Sequence, residues 1–136
     1  MWSKKEKMKI RKEFDEFSVS HYLPGHGHCG WSHGHNYQLF VTVEGPIHDN
    51  GMVMDFADLK RIVKEIIDPL DHPHTDKDKL LNDFGEIFSQ HPTAENISKW
   101  IFEKIASKLA EEIKDVFVVE VELYETRKNC AIYNGK

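Results

Sequence analysis

No stretch of the sequence is apolar for long enough to cross a bilayer as a helix, which takes about 20 residues, so a helical membrane span is excluded. Cationic side chains are in the minority: 18 Lys and Arg stand against 23 Asp and Glu, for a formal charge of −5. They are scattered and form no basic stripe, so the chain has no electrostatic footprint for DNA or RNA. There are only two cysteines, Cys29 and Cys130. That excludes a disulfide framework and leads us to expect two free thiols. The segment Met1 to Met8 is charged and leads into no apolar stretch, so it does not read as a secretory signal, and a cytoplasmic location is expected. Internal repeats, low-complexity linkers and a Gly-rich phosphate cradle are absent. With 136 residues, 40% apolar and 30% charged, the chain reads as one globular domain over 1–136.

The residue type in excess is histidine. Of the nine, His26, His28, His33 and His35 lie within six residues of Cys29. Between Ile10 and His21 the residues Phe17, Val19 and His21 share one parity, as on a half-buried strand. Tyr22 to Ser32, with Pro24, Gly25, Gly27 and Gly30, reads as a tight loop. A second strand follows, with Tyr37, Leu39, Val41 and Val43 alternating with polar residues to about Gly45, and Asp49-Asn50-Gly51 marks the next turn. Asp55 caps an expected helix carrying Phe56, Leu59, Ile62, Val63, Ile66 and Ile67, which Pro69 ends. Leu70 to His91 is a polar connection with a helical turn expected near Leu80 to Phe84. Thr93 caps a second helix with Ile97, Ile101, Ile105, Leu109 and Ile113 on one stripe. Val116 to Thr126 and Cys130 to Tyr133 complete the pattern as strands. The order ββααββ predicts an α+β domain, a four-stranded antiparallel sheet with two helices packed on one face.

Residues i and i+2 of a strand project from the same face, so the imidazoles of His33 and His35 can converge. They share parity with Tyr37, Leu39, Val41 and Val43, at the end of the core-facing side. If the first two strands pair antiparallel, His21 joins them. Three neutral imidazoles on zinc leave a fourth position open, as in a catalytic site. His26, His28, His48, His74 and His91 read as solvated loop histidines, since no periodicity gives them a partner. Cys29, in a Gly-flanked turn, is a candidate proton-moving thiolate near a cation; it is equally readable as an inert small residue or as a metal ligand. Asp71-His72 reads either as an oriented acid–base pair or as a surface ion pair. Glu125 shares parity with Val119, Val121 and Leu123, so it is either a buried carboxylate awaiting an amidine-like edge or a wet strand end.

Together these residues resemble the 6-pyruvoyl-tetrahydropterin synthase and 6-carboxy-tetrahydropterin synthase superfamily. The resemblance runs from about Phe17 to Tyr133. It rests on Phe17-Ser18-Val19-Ser20-His21, Cys29-Gly30-Trp31-Ser32-His33-Gly34-His35-Asn36, Gly51-Met52-Val53-Met54-Asp55-Phe56, Leu70-Asp71-His72, Pro92-Thr93-Ala94-Glu95-Asn96 and Tyr124-Glu125-Thr126. The resemblance implies the tunnelling fold, with subunits joined into a hexamer, a dimer of trimers, and sites at subunit interfaces. It implies His21, His33 and His35 as zinc ligands, Cys29 as catalytic base, Asp71 and His72 as its partners, and Glu125 with Thr126 in the pterin site. The three-residue gap between Cys29 and His33 resembles the 6-carboxy type of the queuosine pathway, acting on 7,8-dihydroneopterin triphosphate with loss of triphosphate and acetaldehyde.

The sequence departs from the pattern in its short histidine-bearing loop from His21 to Cys29 and in the lengthened segment Pro73 to Lys79. Asn36 and the Tyr124-Glu125-Thr126 ending resemble the pyruvoyl type as much. Other expectations are therefore a pyruvoyl-type synthase, an aldolase giving 6-hydroxymethyl-dihydropterin, a zinc- and pterin-binding protein without turnover, or an imidazole-rich metal buffer. The groups that would hold a triphosphate are not legible, with Arg11, Lys12, Arg127 and Lys128 only candidates.

Overall fold

A computed structural model of the chain describes residues 6–21, 33–71, 88 and 91–136, with the side chains of residues 20, 21 and 33 outside the description. The described elements are strands β1 (Lys7–Glu13), β2 (Phe17–His21) and β3 (His33–Pro46), helix α1 (Phe56–Ile67), a 3-10 turn (Asp68–Leu70), helix α2 (Ala94–Glu112), and strands β4 (Phe117–Thr126) and β5 (Asn129–Tyr133). The sheet runs β1-β3-β4-β5, with β2 also paired to β3, and every pairing is antiparallel. The helical turn expected near Leu80 to Phe84 lies outside the described residues.

The first expected strand, Ile10 to His21, is two strands sharing one partner. Glu13 stands opposite Phe40, whereas Phe17 stands opposite Tyr37, so four steps along β1–β2 match three along β3. The extra residue is a bulge. It lets Phe14 and Phe17 both be buried, although their parity differs. Even positions of β1 thus share the inner face with odd positions of β2. A second correction concerns β4. The register shifts where Thr42 and Val43 meet Glu120 and Val118, so the buried residue is Val118, and Val119, expected on the core face, is only half-buried.

The inner face of the sheet carries Tyr37, Leu39, Val41 and Val43 from β3 and Val121 and Leu123 from β4, all fully buried. The helices form where they were expected. Asp55 accepts from the Ala57 N–H (2.8 Å), and α1 buries Leu59, Ile62, Val63, Ile66 and Ile67 until Pro69 turns the chain into the 3-10 segment. Thr93 Oγ1 accepts from the Asn96 N–H (3.2 Å) and so satisfies a donor the helix start leaves open, while the Asn96 side-chain amide donates to the His91 carbonyl (2.8 Å) and ties the preceding segment to the helix. The buried residues of α2 are Ile97, Ile101, Ile105 and Leu109, while Ile113 is its C-cap and packs only partly on the core. Each fully buried aliphatic side chain contributes roughly 1.5–3 kcal/mol.

The turn after β3 is closed by His48 and Gly51. Gly51 takes a positive φ of 83°, a conformation that costs glycine nothing. His48, expected to be a solvated loop histidine, has a side chain 37% exposed and also serves as a clip. Its ring nitrogens lie 3.0 Å from the Met52 carbonyl and 2.9 Å from Asp115, tying this turn to the one after α2.

Candidate active site

The ends of β2 and β3 assemble the site. His21 and His33 are register partners, Val19 stands opposite His35, and Phe17 opposite Tyr37. Antiparallel partners occupy the same face, so positions 21, 33 and 35 gather at one end of the inner face, as expected. The side chains of His21 and His33, and the whole of Cys29 and His72, lie outside the described residues. So do His26, His28 and His74.

His35 is half-buried, and its Nε2 lies 3.1 Å from Glu125 Oε1. The carboxylate is about one-third exposed and comes from the end of β4, next to the Gln38–Tyr124 pair. Glu125 is thus neither fully buried nor fully solvated at the end of β4, with the His35 ring beside it. Beside this pair sits Tyr37, fully buried, its ring 5.6 Å from Phe17 and 5.8 Å from His35 between centroids. Burial, with the charges of Glu125 and Glu95 adding to it, pushes the Tyr37 phenol far above its ordinary range. At any physiological pH it keeps its proton.

Glu125 also lines a pocket of about 230 Å³ between the start of α2 and the β4–β5 hairpin, together with Ala94, Glu95, Asn129, Cys130 and Ala131. Thr126, at the end of β4, stands next to Glu125 and outside the lining. The Thr126 hydroxyl oxygen accepts from the N–H groups of Lys128 and Asn129 (3.2 Å each), and so fixes the hairpin turn that brings Asn129 to the pocket. Asp71 follows the 3-10 turn, and its Oδ1 accepts from the Ser18 N–H at 3.0 Å. This bond attaches the residue before His72 to the strand that ends in His21.

Glu95 is the site residue the sequence pattern did not single out. It stands two residues after the Thr93 cap, where an acidic residue reads as ordinary helix-dipole complementation. The PTAEN run it belongs to was the available signal.

The 6-pyruvoyl tetrahydropterin synthase family profile matches residues 9–136. The chain belongs to this family. A putative 6-carboxy-5,6,7,8-tetrahydropterin synthase of Archaeoglobus fulgidus is 48% identical over 92 residues, 68% of this chain and 71% of that one. The 6-pyruvoyl tetrahydrobiopterin synthase of Dictyostelium discoideum is 37% identical over 124 residues, 90% of this chain and 84% of its own. Among solved structures, the Caenorhabditis elegans 6-pyruvoyl tetrahydropterin synthase superimposes with a TM-score of 0.78 at 28% identity, over 96% of this chain and 97% of that one. The fold is therefore the tunnelling fold of the pterin synthases, an antiparallel sheet with two helices. Among the described residues no helix is long and apolar enough to cross a membrane.

Proposed function

We propose that this pterin synthase is a zinc-dependent 6-carboxy-5,6,7,8-tetrahydropterin synthase of the queuosine pathway. It takes 7,8-dihydroneopterin triphosphate and water, and releases triphosphate and a two-carbon fragment as acetaldehyde. The observation that carries this reading is the 48% identity to a protein named for that activity, above the 37% shared with the pyruvoyl-type relative. The short Cys29 to His33 gap supports the same choice.

Three imidazoles at the paired end of β2 and β3 are a donor set suited to zinc. Bound there, zinc supplies the positive charge that acidifies side-chain hydroxyls of the substrate. Glu125 accepts from the 2-amino and N3–H edge of the ring, two parallel donors that match a carboxylate. Cys29 moves a proton at the side chain. Asp71 and His72 supply the second acid–base group, with Asp71 anchored through the Ser18 N–H. Thr126 holds the hairpin edge of the pterin pocket. Strands β1 and β5 end the sheet, and pairing of such edges between subunits would build a hexamer in which Cys29 and His72 come from different chains.

Anaerobic incubation of the zinc-loaded protein with 7,8-dihydroneopterin triphosphate, followed by mass spectrometry, tests this. Carboxy-tetrahydropterin with acetaldehyde is expected, and both should vanish after chelation and in Cys29→Ala. The second reading, favoured by the coverage of the Dictyostelium relative, is pyruvoyl-tetrahydropterin formation. That product, or a hydroxymethyl one, would keep the site and replace the reaction, and a stoichiometric complex without turnover would make the chain a binding protein.

A further inference from the structure

Past the bulge, β2 and β3 run on as a two-stranded ribbon. Strand β1 stops opposite Phe40 and β4 joins β3 only from Gln38 onward, so among the described residues positions 33–37 of β3 pair with β2 alone. Positions 21, 33 and 35, the proposed zinc donors, all lie on this ribbon. A two-stranded ribbon is only marginally stable by itself. The base of this one is packed, with Phe17, Val19 and Tyr37 buried, and burial fades toward the far end, where His35 is half-buried and Gly34 exposed.

Two carboxylates tie the ribbon to the rest of the fold, one on each strand. On β3, Glu125 Oε1 lies 3.1 Å from His35 Nε2. On β2, Asp71 Oδ1 accepts from the Ser18 N–H at 3.0 Å. The first contact reaches a side chain, whereas the second reaches the backbone and therefore fixes the strand. The Ser18 N–H points to Asp71 and away from β3, so the N–H groups of its neighbours Phe17 and Val19 point toward β3. Ser18 thus offers the donor that the free edge of a strand leaves open, and a carboxylate is the strong acceptor for it. Asp71 is itself held. Its N–H donates to the Asp68 carbonyl (3.1 Å) and closes the 3-10 turn, which buried Ile67 and Leu70 seat on the core.

Resting on the zinc reading above, we propose that Asp71 is a positioning residue for the metal site: it holds β2 by its backbone and so keeps position 21 beside 33 and 35. The carboxylate acts through the strand, on a donor set it need not touch. Losing the bond frees the ribbon to open from its edge, and a donor set assembled for only part of the time binds its ion more weakly.

The test is zinc affinity, by competition with a chromogenic chelator on metal-stripped protein, with amide hydrogen exchange of Val19 on the same metal-free samples. Turnover is not the readout, because Asp71 also belongs to the proposed acid–base pair and its loss slows the reaction on either account. Asp71→Ala should weaken zinc binding by roughly 10–100-fold, as when other groups that orient metal ligands are removed, and should speed Val19 exchange. Asp71→Asn keeps an oxygen acceptor without the charge, so affinity and exchange should both stay within about threefold of wild type. Ser18→Pro removes the N–H on an edge where proline is tolerated, and should match Asp71→Ala. Ser18→Ala, the control for the hydroxyl that donates to Asn36, should stay near wild type. An Asp71→Asn variant as weak as Asp71→Ala would make the effect one of charge on the cation and overturn the proposal. Wild-type affinity or wild-type Val19 exchange in Asp71→Ala would overturn it too, and leave the zinc reading standing. If Asp71→Ala does not fold, Ser18→Pro makes the same comparison from the donor side. A wild type that binds no zinc would remove the zinc reading and the proposal with it.

Discussion

Strand β3 is paired along one edge by two strands in turn, and the two stretches do different work on the same face. Against β1, the inner positions of β3 are Val41 and Val43, sealed under the helices. Against β2 they are Tyr37, His35 and His33, and the face passes from hydrocarbon to imidazole within a few residues. One strand is thus a core element at one end and, under the proposed function, a ligand platform at the other. The hinge between the two roles is the single extra residue among Phe14, Asp15 and Glu16, which flips the parity of everything that follows. A platform built this way inherits the rigidity of the core beside it, which is what holding several side chains on one ion requires.

Lengthening the hinge breaks the comparison most severely. Inserting one residue after Asp15, with the bulge held at one extra residue, would turn Phe17 and Val19 outward and Ser18 inward, whereas deleting Asp15 would merge β1 and β2 with Phe17 still opposite Tyr37. With the insertion two buried apolar side chains would be lost, so we expect a stability loss above about 3 kcal/mol or no folding at all, read by urea denaturation. Next in size, and separating the two stretches, are Leu39→Ala and His35→Ala. The first should cost about 3 kcal/mol and leave zinc stoichiometry intact in the folded fraction. The second should weaken zinc binding by roughly 100-fold or more with little change in the melting temperature. A zinc affinity equal to wild type in His35→Ala would remove His35 from the proposed donor set.

Tyr37→Phe sharpens the boundary between the two stretches. The ring packing on Phe17 remains and only the phenol hydroxyl goes, so stability should change by less than about 1 kcal/mol. Pterin affinity should fall severalfold in a competition assay. The smallest effect lies at the far end of β3, where the Asp115 hydrogen bond and then the Met52 carbonyl raise the His48 pKa above its ordinary value. A raised value means the clip is fully present below about pH 6.5 and fades as pH rises through the folded-state value. Both partners are exposed, so the contribution is under about 1 kcal/mol. Urea midpoints of wild type and His48→Gln should differ near pH 6 and converge near pH 9; a constant difference across that range would argue against the linkage.

Much of this was legible because it is periodic. The stripes Leu59 to Ile67 and Ile97 to Leu109, with Asp55 and Thr93 before them, declare two capped helices, and the alternation from Tyr37 to Val43 declares a core strand. His33 and His35 on one parity were legible for the same reason. The bulges were not, since an inserted residue leaves the composition unchanged and shows only as a register against a partner strand. That is why one strand was expected where two form, and why Val119 was expected on the core face in place of Val118. Glu95 was hidden differently, because an acid in a first helical turn satisfies a local rule completely and leaves nothing unexplained.

The sequence by itself determined the elements, their caps, the inward faces of β3 and the helices, and the chemistry on offer: imidazoles, a thiol and carboxylates in a chain with few cations to spare. All of these follow from spacing along the chain. Only the tertiary structure decided which of them meet. The β2–β3 register put position 21 beside 33, the end of β4 brought Glu125 to 3.1 Å from His35, the start of α2 placed Glu95 on the same pocket, and the 3-10 turn gave Asp71 to the Ser18 N–H. Those contacts join residues far apart in sequence, and their geometry is fixed by strand pairing and core packing rather than by any local preference.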